Sequence, residues 1–172
     1  MDNDDIIQLL NELIQLDHDA VKTYEQALQH VAATDSDIRI DLEEFKDDHE
    51  RHIRDLSIVI ENMGGTPIEP SRDFKGVLLE GMTKLRSVTG TTGALKAMRM
   101  NEKLTNRSYE RAAAANLPPG PRDVVVANFD DEQRHLAAIE THIERLGDDA
   151  SDEAESRGDD DEPSDLRIDV RY

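Results

Sequence analysis

Glu132 and His135 stand three residues apart in a stretch whose apolar residues recur at helical spacing. At that spacing a carboxylate and an imidazole share one helix face with Cβ atoms about 5 to 6 Å apart, close enough to hold one ion between them. Alone, a Glu-x-x-His pair is a common accident of acidic helices. Its surroundings, however, occur twice. Asp47-Asp48-His49-Glu50-Arg51-His52 aligns with Asp130-Asp131-Glu132-Gln133-Arg134-His135 at both aspartates, the arginine and the last histidine. Upstream, Asp17 stands seven residues before Tyr24, and Glu102 stands seven before Tyr109. The two tyrosines precede His52 and His135 by 28 and 26 residues, so carboxylate, tyrosine and histidine recur in register. Each half supplies a helix with an acid and a tyrosine, then a helix with a pair of potential ligands ending in histidine.

Four elements must carry these residues. Between residues 4 and 32, Ile6, Leu10, Leu13, Ile14, Val21, Tyr24, Leu28 and Val31 form a helical stripe that includes Asp17. After the break at Thr34-Asp35-Ser36-Asp37, the residues Ile38, Leu42, Phe45, His49, His52, Leu56, Val59 and Met63 alternate spacings of four and three, so two histidines occupy core positions. Gly64-Gly65, with Pro67 and Pro70, ends that helix. Residues 71–89 predict a short crossover helix weakened by Gly76 and Gly81. A third long helix after Gly93 carries Leu95, Met98, Glu102, Thr105, Tyr109 and Ala112 on one stripe. The fourth runs from about Arg122 to Leu146, with Pro121 at its first turn and Val125, Phe129, Glu132, His135 or Leu136, and Ile139 facing inward. The reading is an all-α four-helix bundle over residues 1–147.

Residues 148–172 read as an acidic, disordered tail: ten acids face one arginine between Gly147 and Asp165, with too few apolar residues to offset ordering entropy. Its last residues, Leu166 to Tyr172, alternate apolar and polar types, as an extended peptide docking on a protein partner would, or a plain frayed terminus. The whole chain has net charge -19, which disfavours nucleic acid and anionic lipid as partners. Acids outnumber bases about two to one over the body, and six of the twenty bases are lysine. That balance suits a halophilic cytoplasm, where molar salt screens charges over about 3 Å. Without cysteine, disulfides and thiol catalysis are excluded. An acidic N-terminus and the lack of any apolar run near 20 residues predict a soluble, cytoplasmic protein rather than a membrane one.

The polar residues on the four stripes are Asp17, His49, His52, Glu102, Glu132 and His135, with His142 one heptad further on. An unpaired ionised carboxylate in an apolar core costs several kcal/mol, so three of them need a cation, a metal or protons, and no lysine or arginine lies on those stripes. Imidazole with carboxylate in a bundle core suits iron, manganese or zinc.

On these motifs the chain resembles the ferritin-like superfamily, nearest to the ferritin-like four-helix-bundle proteins of bacteria and archaea. The acid-x6-Tyr spacing, His52 thirteen residues before Gly65, the Gly64-Gly65-Thr66-Pro67 helix end and the proline-rich turn at 118–121 carry the resemblance. It implies a dinuclear iron or manganese site with Asp17 and Glu102 as terminal carboxylates, Glu132 as a bridge, and His52 and His135 as one nitrogen ligand per metal. Tyr24 and Tyr109 would lie beside the site, as radical quenchers or core residues. His49 departs from the pattern, standing where the first motif has its bridging glutamate. One ion would then be held by Asp17, His49 and His52 and be the weaker or absent one, with Asp48 a substitute ligand if the helix rotates slightly, so the site would be dinuclear, mononuclear or occupied at one position only. The functions implied are metal-dependent oxidation in iron handling or oxidative defence, an iron-storing homo-oligomer, or a non-catalytic bundle for binding or assembly.

Overall fold

The computed structural model describes residues 1–69 and 89–156, the last nine of these by backbone alone. Four helices occupy the described residues: α1 Asn3–Ala27, α2 Ser36–Asn62, α3 Gly90–Ala113 and α4 Pro119–Ser156. Each starts or stops where the local chemistry dictates. At α1, Asp2 accepts from the Asp5 amide (2.9 Å) while the Asp5 carboxylate accepts from the Asp2 amide (3.1 Å), a reciprocal cap at the positive end of the helix. Pro119 and Pro121 sit in the first turn of α4, where amide hydrogens have no helical partner.

The buried faces follow the stripes, with shifts in three helices: along α1, Val21 and Leu28 are partly covered while Ala20 and Ala27 are buried. In α2 the buried set is Ile38, Leu42, Phe45, His49, His52, Leu56 and Ile60; Val59 and Met63, expected inside, are only partly covered. A straight helix of 3.6 residues per turn drifts from a strict seven-residue repeat, so after three heptads the next residue rotates inward. In α4, Asn128 takes the buried place beside Val125 while Phe129 is half-buried. The last helix also continues to Ser156, past the expected end near Leu146. Extending a formed helix is far easier than nucleating one, and Ala, Glu and Asp tolerate it. The expected crossover helix at 71–89 and the C-terminal peptide 166–172 fall, all but Thr89, outside the described residues.

Neighbouring helices are antiparallel. Asn3 of α1 bonds the Met63 carbonyl at the far end of α2, and Arg39 at the start of α2 bonds the carbonyls of Leu28 and Val31. The pairs Tyr24 with Glu102 and Asp17 with Tyr109 run α3 against α1, and Asp41 with His142 and Asp48 with His135 run α4 against α2. α1 therefore packs on α2 and α3, and α4 on the same two, with no close backbone approach across the diagonals among the described residues. α2 and α3, both antiparallel to α1, run parallel to each other. The end of α2 and the start of α3 therefore lie at opposite ends of the bundle, about 40 Å apart for a 27-residue helix.

Two apolar clusters fill the interior on either side of a polar layer. One contains Leu10, Ile14, Leu56, Ile60, Tyr109 and Val125, the other Tyr24, Leu42, Phe45, Leu95, Met98 and Ile139. Between them lie the six residues singled out above.

The end of α2 depends on Gly64, whose φ of +79° lies in the left-handed region, so that the Gly65 amide closes back on the Ile60 carbonyl at 2.9 Å. Asn11 then pins the departing chain through the Thr66 carbonyl (3.3 Å) and the Ile68 amide (2.7 Å). Gly64→Ala places a Cβ in that strained conformation and is expected to cost about 1 kcal/mol, lowering the unfolding midpoint by ~2–4 °C in a calorimetric or circular-dichroism melt. An unchanged midpoint contradicts the role assigned to this turn.

Candidate metal centre

Asp17, His49, His52, Glu102, Glu132 and His135 are each fully buried. Their donor atoms form two groups of four, each with one ligand atom per residue and all such atoms within 4.8 Å of one another: Asp17, His49, His52 and Glu132 in one, and His49, Glu102, Glu132 and His135 in the other. All four helices contribute, and His49 and Glu132, the residues aligned by the internal repeat, belong to both groups.

Much of this chemistry has no protein partner. His49 Nε2, His52 Nδ1, His135 Nδ1, Glu102 Oε2 and both oxygens of Glu132 are buried without a hydrogen bond. His52 Nδ1 lies 3.7 Å from Asp17 Oδ1 and 3.5 Å from Glu132 Oε1, and His135 Nδ1 lies 3.9 Å from Glu102 Oε2, too far for good hydrogen bonds. Each such atom costs about 1–3 kcal/mol if nothing satisfies it. Six of them facing one another in a core is the arrangement a cation would satisfy, and the carboxylate and imidazole donors match a first-row divalent metal.

The outward-facing atoms, by contrast, are fully engaged. Tyr24 donates to Glu102 Oε1 at 2.7 Å, and Tyr109 donates to Asp17 Oδ2 at 2.6 Å. Each tyrosine thus supports the acid of the opposite half, because α1 and α3 run antiparallel with equal acid-to-tyrosine spacing. Burial, with neighbouring carboxylates, pushes both phenols well above their ordinary range, so they remain donors. Histidines are supported crosswise as well. His135 Nε2 meets Asp48 Oδ2 at 3.1 Å, and His52 Nε2 meets Asp131 Oδ2 at 3.3 Å. Arg51 links Asp48 and Asp131 at 2.7 Å to each, and Arg134 holds both from the other side.

This explains the Asp, Arg and His positions of the repeat. Asp48, considered above as a substitute ligand, belongs to neither group and instead stands behind His135. Burial raises the Asp48 carboxyl, but His135 and the arginines outweigh it and hold it well below the usual range. As an anion it only accepts, so His135 carries its proton on Nε2 and turns the Nδ1 lone pair inward. Burial also holds His135 below its ordinary value, in keeping with a neutral ring. Asp131, Arg51 and Arg134 were not singled out from sequence, although the need of a ligating histidine for a carboxylate on its far nitrogen, applied to the repeated Asp-Asp, is the signal that marks them. His142 lies outside both groups and pairs with Asp41 at 2.7 Å, one heptad along the same α2–α4 seam.

Residues 5–115, from α1 through α3, match the family described as a domain of unknown function, DUF2383. The chain belongs to that family. The match stops before α4, so Glu132 and His135 lie beyond it. No curated protein matches this DUF2383 chain in sequence. Its fold is similar to that of a dodecameric thioferritin, the bacterioferritin-related protein from Bacteroides fragilis, with TM-score 0.74 and 14% identity over 88% of this chain and 92% of that one. It is also similar to a ferritin-like diiron-carboxylate protein from Bacillus anthracis str. Ames, with TM-score 0.62 and 22% identity over 83% of this chain and 99% of that one. The architecture is a ferritin-like four-helix bundle, as the motifs implied.

Without metal, protons compensate the buried charge. Burial depresses His49, but Glu132 and Asp17 outweigh it and raise its pKa to about 9; His52 is raised to about 10 in the same way by Asp17 and Glu132. Burial, with Glu132 close by, raises Glu102 to about 8. Burial raises Asp17 too, but its contacts with His49 and His52 prevail and keep it low. At pH 7 His49, His52 and Glu102 therefore hold protons that metal must displace, so affinity increases as pH rises toward these values. Calorimetric titration of the metal-stripped protein with Mn(II) in buffers of different ionisation enthalpy is expected to show two or more protons released per chain at pH 7. Affinity should rise at least about tenfold per pH unit between 6 and 8. Binding independent of pH and without proton release contradicts this set of ligands.

Proposed function

We propose that this DUF2383 protein holds a pair of first-row transition-metal ions, iron foremost and manganese or zinc as alternatives, in the core of its bundle. Asp17 and His52 serve one ion, Glu102 and His135 the other, with His49 and Glu132 between. The observation that carries the reading is the convergence of six unpartnered, fully buried donor atoms in two overlapping groups of four. Its likeness in fold to a diiron-carboxylate protein and a thioferritin favours iron. The function that follows is iron oxidation and handling, or oxidative-stress defence, in the cytoplasm.

An iron or manganese pair, when bound, would supply one-electron redox chemistry, whereas zinc would act only as a Lewis acid. The chain supplies the rest. Tyr24 and Tyr109 fix one oxygen of Glu102 and of Asp17, leaving Glu102 Oε2 unpartnered and Asp17 Oδ1 paired only with His49 Nδ1. Asp48 and Asp131 hold the histidine rings so that Nδ1 points inward. The two apolar clusters exclude bulk water from both ends of the polar layer, which strengthens every charge interaction within it. We take residues 1–147 as the functional bundle and 148–172 as an acidic tail outside it. A homo-oligomer is the expected assembly, by analogy with the dodecameric neighbour. Among the described residues no helix is long and apolar enough to cross a membrane.

A second reading, a bundle for binding or assembly without turnover, is favoured by the 2.9 Å pair between His49 and Asp17, which lets protons stand in for metal. Aerobic addition of Fe(II) separates the two. The first reading expects wild-type protein to oxidise Fe(II) faster than buffer alone. Glu132→Ala combined with His135→Ala should abolish that excess rate and most bound metal while helicity is retained. Wild-type protein that binds Fe(II) but oxidises it no faster than buffer favours the second reading, and metal content unchanged in the double variant ends the metal reading.

A further inference from the structure

His49 occupies the position that Glu132 occupies in the other half of the repeat, and both belong to both groups of donors. A carboxylate serves two ions through two oxygens on one carbon. An imidazole also carries its two donor atoms on one carbon, but the ring holds their lone pairs widely divergent, so it serves two ions only if its nitrogens face different ones. The ring of His49 lies in that way. Its Nδ1 is 2.9 Å from Asp17 Oδ1 and 3.4 Å from Glu132 Oε1, in the half completed by His52. Its Nε2 faces Glu102, 4.0 Å from Oε1, has no hydrogen-bond partner, and belongs to the half completed by His135. The ring centre is 5.5 Å from that of His52 and 5.4 Å from that of His135, so His49 is about equally distant from the two terminal histidines.

We infer that His49 is a bridging ligand, giving Nδ1 to the ion of Asp17 and His52 and Nε2 to the ion of Glu102 and His135. The inference rests on the dinuclear reading above. Both ring protons leave to solvent as the two ions bind, and the ring becomes an imidazolate with one negative charge. With Asp17, Glu102 and Glu132 ionised, the ligands then carry four negative charges against the four positive charges of two divalent ions, and the fully buried site is neutral. A glutamate at position 49 would give the same charge. The substitution therefore conserves charge and changes distance: metal–nitrogen bonds of about 2 Å diverging from the two ring nitrogens put the ions about 6 Å apart, against about 3.5–4 Å in common two-metal sites. On this arrangement both ions are equally provided for, and the weaker Asp17 half expected from sequence does not arise.

The test is the metal–metal distance in full-length protein loaded with Zn(II), read by X-ray absorption and by anomalous peaks in crystals. The expected result is two zinc ions per chain about 6 Å apart with His49 between them, and a contraction to about 3.5–4 Å in His49→Glu. Two ions at the shorter distance in wild type, or His49 bound through one nitrogen only, overturn the bridge and leave the dinuclear reading standing. A single ion overturns both the bridge and the dinuclear pair but not metal binding, and absence of zinc binding overturns all three. The wild-type measurement decides the matter even if His49→Glu fails to fold.

Discussion

The structure depends on a band of ionisable side chains placed where water does not reach. Asp17, Glu102 and Glu132 are carboxylates in a bundle core, each fully buried, and among the described residues no lysine or arginine forms an ion pair with them. Charge in such a place is tolerated only when paired and hydrogen-bonded, because burial penalises an uncompensated ion by several kcal/mol. Two histidines, His49 and His52, supply part of the compensation through protons, and Glu102 holds another. The geometry of the remaining donors, turned toward one another rather than toward protein partners, is what divalent ions would complete.

Support for that band comes from a two-fold internal relation. Antiparallel packing of α1 on α3 brings each tyrosine to the acid of the other half, and antiparallel packing of α2 on α4 brings each aspartate to the histidine of the other half. Neither half is complete alone. The arginines close the network on its outer side, and Arg134 also lies over the Phe45 ring, 5.6 Å from its centre, while Phe45 stacks on His135 at 4.3 Å. Packing and electrostatics thus hold the same rings in place. His49 is the residue at which the two-fold relation fails in chemistry while persisting in position.

Much of the ligand layer was legible in the sequence because helices impose it: a polar residue that keeps the apolar spacing must point inward, and Asp17, His49, His52, Glu102, Glu132 and His135 all do. Crosswise support was not legible. Whether Asp47 or Asp48 faces a histidine depends on the rotation of α2 against α4, and which histidine it meets depends on their antiparallel register, both set by packing rather than by local pattern. The drift from Val59 to Ile60 at the end of α2 and the exchange of Phe129 for Asn128 in α4 have the same origin, since stripe positions accumulate error along a helix.

If buried donors are the constraint that a cation relieves, metal should stabilise the fold in proportion to its occupancy. Thermal unfolding of metal-stripped protein in rising Mn(II) tests this directly. A ligand that binds only the folded state adds about 2.7 kcal/mol at a hundred times its dissociation constant, or ~5–10 °C for a chain of this size. The account predicts a midpoint that climbs steadily with the logarithm of metal concentration. A midpoint unaffected by Mn(II), Fe(II) or Zn(II) under anaerobic conditions would contradict it, and would mean that protons on His49, His52 and Glu102 are all the compensation this core requires.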